Sequence, residues 1–77
     1  MPDITFTGAH GVYRMIGLTQ HGQEWIEENV GYKQWQGNPI DGVLIEGSYR
    51  AADIATFSLD DGLSISFNGK SLTGVAA

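Results

Sequence analysis

The chain has 77 residues, no cysteine, and nine Asp and Glu against four Lys and Arg, for a formal net charge of −5. That length fits one domain, residues 1–77, and the acidic balance argues against direct nucleic-acid binding, whose affinity comes mostly from cations neutralising phosphates. With no thiol there is no disulfide or thiolate metal site. No stretch nears the roughly 20 apolar residues of a membrane span and no leader-like segment opens the chain, so a cytoplasmic protein without a membrane partner is expected.

Ile4 and Phe6 alternate with Thr5 and Thr7, which predicts a short strand. Gly8 to Gly11 reads as a turn. Val12 to Leu18 is a second extended run, and the two runs fit a hairpin. Its faces are Val12, Arg14, Ile16 and Leu18 against Tyr13 and Met15, with Arg14 at odds with its apolar neighbours.

Thr19 is placed to cap a helix over Gln20 to Asn29, with Gly22, Trp25, Ile26 and Asn29 on one face. Gly22 would allow a strand to approach closely, and Gly31 fits a left-handed cap at the far end. Tyr32 to Gln36 predicts a strand anchored by Trp35, and residues 37–42 a loop. Val43 to Ile45 predicts a strand buried on both faces. A second helix is expected over Ala51 to Asp61, with Asp53 in its first turn and Ala51, Ile54, Ala55 and Phe57 as its apolar face. Gly62 fits its left-handed cap.

Leu63, Ile65 and Phe67 then alternate with polar residues up to Asn68-Gly69, the strongest short hairpin signal, which sets Ile65 opposite Leu72 and Phe67 opposite Lys70. Thr73 to Ala77 reads as a frayed tail. The order ββ-α-ββ-α-ββ predicts an α+β fold: an antiparallel sheet of five to six strands with two helices on one face. Val12 and Gly31 recur as Val43 and Gly62, 31 residues on, an echo of architecture with few other identities.

No nucleophile, phosphate-loop or dinucleotide motif is present, so neither an enzyme nor a cofactor is expected. His21 and Glu24 share a helix face, but two ligands do not make a metal site, and His10 lies in a separate turn. The densest carboxylates are Glu24, Glu27 and Glu28 on the first helix and Asp60 and Asp61 at the end of the second. They read as a solvated face or as a docking surface for a basic partner. Asp60 and Asp61 oppose the helix dipole at that end. Trp25 and Trp35 read as core. Tyr13, Tyr32 and Tyr49 divide between core and interface, and Tyr32 and Tyr49 are the candidate anchors.

Leu18-Thr19-x-x-Gly22-x-x-Trp25-Ile26-x-x-Asn29, Tyr49-Arg50-x-x-Asp53-Ile54 and Asp61-Gly62-Leu63 together resemble small proteins encoded by bacterial phages and prophages. Among such proteins the chain is similar in size and charge to anti-CRISPR inhibitors. The resemblance implies a protein that blocks a host defence complex by binding its protein subunits, and it assigns no residue a role. The alternative is a structural or self-assembling phage component whose aromatic surface mediates its own association.

Overall fold

A computed structural model describes residues 2–73 of the chain. The tail expected beyond Thr73 lies outside them. The first hairpin is β1 (Ile4–Ala9) and β2 (Val12–Gly17), joined by His10 and Gly11 at φ 57° and 81°. Both turn residues are left-handed, the geometry that matches the twist of paired strands. β1 thus runs through Gly8 and Ala9, which the glycine pattern had assigned to the turn. Met15 is fully buried, while Val12 and Arg14 are exposed. Arg14 is no anomaly, because its face is the outer one.

Thr19 caps α1 (Gln20–Asn29), its Oγ1 accepting from the Gly22 N–H at 3.0 Å. Gly22, Trp25 and Ile26 are buried, and Asn29 is exposed. A Cβ on Gly22 would overlap the Asp3 carbonyl, so the glycine admits the chain entering β1. The expected left-handed cap at Gly31 is absent. α1 ends instead on Val30 in extended backbone, φ −106° and ψ 116°, with its side chain in the core.

The expected strand at Tyr32 to Gln36 does not form. A single 3₁₀ turn occupies Gln34–Gln36, and Trp35 is 68% exposed rather than core. Gln36 is the reason: its Oε1 accepts from the Lys33 N–H at 2.7 Å, and its Nε2 donates to the Leu44 carbonyl at 2.9 Å. A side chain so takes an edge position that a strand would have filled. The pairing strand comes later, as the two residues of β3 (Gly37–Asn38), inside the expected loop. β4 (Gly42–Glu46) buries Val43 and Ile45 but only half-buries Leu44, so it is covered on one face, not two.

α2 (Ser48–Asp60) begins three residues before the apolar pattern does, which moves Asp53 out of the first turn. Its buried residues are Ala51, Ile54, Ala55 and Ser58. Phe57 is half exposed, with its ring edge-on to Trp25 at 5.5 Å. Ser58, in the place expected for Phe57, satisfies its hydroxyl on the Ala55 carbonyl. Gly62, at φ 88°, closes the helix as expected: its N–H donates to the Leu59 carbonyl and that of Leu63 to Ser58, the paired bonds of a Schellman cap. β5 (Ser64–Phe67) and β6 (Lys70–Thr73) then pair in the expected register around Asn68-Gly69.

The six strands lie in the order β3-β4-β2-β1-β5-β6. The α+β class, the strand number and the element order stand, but the sheet is mixed, because β5 runs parallel to β1 with Ile4 opposite Ile65. Alternation reveals the faces of a strand and not its direction. Direction follows from α2, a helix-length connection that returns the chain to the end of the sheet where β4 began, so β5 repeats the direction of β4 and hence of β1. Ile4, Phe6, Met15, Val43, Ile45 and Ile65 share one face and form the core with Trp25, Ile26 and Val30 of α1 and Ala51, Ile54 and Ala55 of α2. Both helices therefore cover the same face. The other face, with Thr7, Arg14, Ile16 and Leu44, is open. Among the described residues no helix is long and apolar enough to cross a membrane.

Candidate functional site

A groove of about 460 Å³ lies between α1 and the turn linking β3 to β4. Gln23, Glu24 and Glu27 form one wall, Pro39 and Ile40 the other, and Tyr32 and Asn38 also line it. Helical spacing explains the first wall, since residues three and four apart share a helix face. The second wall is built by Asn38, whose Oδ1 accepts from the N–H groups of Ile40 and Asp41 at 2.9 and 2.8 Å. The Pro39 carbonyl accepts from the Gly17 N–H at 2.7 Å, which fixes this turn to the end of β2. Ile40, held on that turn, is 67% exposed.

The carboxylates are oriented by neighbours. Glu24 Oε2 accepts from Gln20 Nε2 at 3.0 Å, one helical turn back. Glu27 Oε2 accepts from the Tyr32 hydroxyl at 2.8 Å. That bond, then burial and the nearby charge, raises the Tyr32 pKa, so the phenol stays a donor. Each carboxylate uses one oxygen in this way, and the second of each remains for a cation. The lining carries no Ser, Thr, Cys, Lys or His. Among the described residues no three carboxylate or imidazole groups converge as a metal site would require.

The sequence candidates therefore divide. Glu24, Glu27 and Tyr32 meet in one groove. Glu28 is exposed on α1 outside its lining, and Asp60 is exposed at the end of α2. Asp61 accepts from the Trp25 indole N–H at 2.7 Å, tying α2 to α1. This bond accounts for its unfavourable place at a helix C-terminus without a partner. Tyr13 packs at the edge of the core, its ring 5.3 Å from Phe67. Tyr49 is 89% exposed on the first turn of α2, away from the groove. Two large apolar residues flanking β3 are exposed: Trp35, which the sequence suggested as core, and Ile40, which the sequence reading passed over. The only signal for Ile40 was its place in a Pro- and Gly-bounded turn, where burial is uncommon. In comparisons with known proteins, no family, no curated protein and no solved structure matches this chain.

Proposed function

We propose that the protein is a non-catalytic interaction module whose acidic α1 face docks on a basic surface of a larger bacterial protein, with a nucleic-acid-binding site of a defence complex as the intended target. One observation supports this reading best: Glu24, Glu27 and Tyr32 line the same groove as the exposed Ile40. Opposite charges set the encounter rate and choose the partner, and a partly dehydrated apolar contact beside them holds the complex. A Lys or Arg of the partner fits such a groove, its charge on the carboxylates and its stem along Pro39 and Ile40. Glu28 adds to the field that steers it. The resemblance to small phage and prophage proteins supplies the choice of a defence complex, and the groove supplies none of it.

The test is capture of a partner from a bacterial lysate, followed by its affinity for the wild type and for Glu24→Lys/Glu27→Lys/Glu28→Lys across a salt series. Exposed positions leave the fold intact. Wild-type binding is expected to weaken with salt, chiefly through the on-rate, and the triple variant to lose both the affinity and the salt slope. Unchanged, salt-flat binding by the triple variant would reduce this face to solvation. Self-association of the wild type with no captured partner would favour the self-assembling reading.

A further inference from the structure

A second groove, of about 400 Å³, lies on the open face of the sheet, across β3 from the first. Asn38 lines both. Here the wall is Trp35, with an indole that folding leaves 68% exposed. Arg14 enters from β2. Its stem lies over Gly42, where an added Cβ would come within 2.5 and 2.6 Å of the Arg14 Cγ and Cδ. Gly37 also lines the groove, where it admits the Gly42 carbonyl, which an added Cβ would overlap. Asp41, the carboxylate in the same lining, is held by Asn38 Nδ2 at 3.0 Å rather than by Arg14. The amide of Gln36 is likewise engaged, on Lys33 and Leu44.

We propose that this groove binds a planar anion of mononucleotide size, with an aromatic ring stacked on Trp35 and a phosphate or carboxylate paired with Arg14. Three features carry the inference. An arginine fork matches either anion with two parallel hydrogen bonds. An exposed indole is a stacking platform for any flat ring. The volume is within the range of small-molecule sites, roughly 300–1,000 Å³. A nucleic-acid strand is the wrong ligand, because one arginine neutralises one phosphate and a chain of net charge −5 repels the others. This site is independent of the acidic groove and of the partner proposed for it.

The experiment is an amide-correlation NMR titration of the full chain with adenosine monophosphate, adenosine, inorganic phosphate, 2-naphthoate and a short single-stranded oligonucleotide. Saturable shifts are expected at the Trp35 indole N–H and at the Gly37 and Gly42 amides. Adenosine and phosphate, each carrying half of the recognition, should bind about tenfold more weakly or worse than the monophosphate. Arg14→Gln and Trp35→Ala should each lose about tenfold while keeping a folded spectrum, since both side chains are exposed. Tighter binding of the monophosphate assigns a phosphate ligand, and tighter binding of naphthoate assigns a carboxylate. The proposal is overturned if neither anion gives saturable shifts at these groups, if Arg14→Gln binds as well as the wild type, or if the oligonucleotide outcompetes the monophosphate.

Discussion

Asp3 joins three segments through its side chain and its own backbone N–H and carbonyl. Its Oδ1 accepts from the Thr19 hydroxyl at 2.7 Å and its Oδ2 from the Ser64 N–H at 3.0 Å. Its own N–H donates to the Ser64 carbonyl, and its carbonyl accepts from Leu18. The Ser64 N–H, and then the Thr19 hydroxyl, hold the carboxyl below the usual carboxylate range. A folded pKa depressed in this way adds stability above the unfolded value, about 3.9, and that stability is lost as pH falls through the lower folded value. Asp3→Asn should therefore cost about 1 kcal/mol at neutral pH, with solvent screening keeping it small. Urea melts at pH 7 and pH 3 check this: the gap to wild type should narrow in acid, and an equal gap at both would mean the charge is not what matters. The Tyr32–Glu27 pair has the opposite sign. A raised phenol pKa adds stability below the unfolded value, about 10, which is lost as pH rises through the folded one. Followed by ultraviolet absorbance, Tyr32 should ionise above the ordinary tyrosine range, and Glu27→Gln should bring it down. Neither pair was legible in the sequence. Thr19 and Ser64 lie 16 and 61 residues from Asp3, and one acid among nine carries no mark of its partners.

At the level of the element, Gly22 within α1 and Gly31 just beyond it separate close approach from capping. Gly22→Ala should destabilise by about 1–3 kcal/mol, because the methyl meets the Asp3 backbone, which has nowhere to yield. Gly31→Ala should be neutral or stabilising by about 0.5 kcal/mol, since open space surrounds that position and its φ is not left-handed. Thermal melts of the two variants test both statements, and a strongly destabilised Gly31→Ala would restore the glycine cap that the sequence suggested. Ile65→Asp should abolish folding: the side chain is fully buried between Ile4 and Leu72, and an unpaired buried charge costs several kcal/mol of a total near 5–15. Circular dichroism with a cooperative melt for that variant would contradict the packing. What the sequence revealed at this scale was local: the Thr19 cap, the Gly62 cap and the Asn68-Gly69 turn, each a signal within a few residues. What stayed hidden was tertiary. The 3₁₀ turn depends on Gln36 reaching Leu44, and the exposure of Trp35 follows from that turn. The groove was half legible, since helical spacing paired Glu24 with Glu27, while the opposite wall of Pro39 and Ile40 needed the fold.

Over the whole molecule, two helices cover one sheet face, the other is bare among the described residues, and the two proposed sites lie back to back across β3. The first is acidic, with Glu24 and Glu27, and the second holds Arg14 and Asp41 together. β1 is one of the two central strands of the sheet, flanked by β2, its neighbour in the chain, and by β5, which arrives some 60 positions later. Asn68 extends that junction: its N–H donates to the Phe6 carbonyl at 2.7 Å, and its Oδ1 accepts from the Gly8 N–H at 2.9 Å. During synthesis, then, β1 waits with one open edge until β5, through Phe67, has left the ribosome. Pairing at such separation is slow, and an uncovered strand edge is where neighbouring chains add on. A nascent chain arrested with residues 1–61 outside the tunnel is expected to stay protease-sensitive and to need a chaperone, and one released past Thr73 to become resistant.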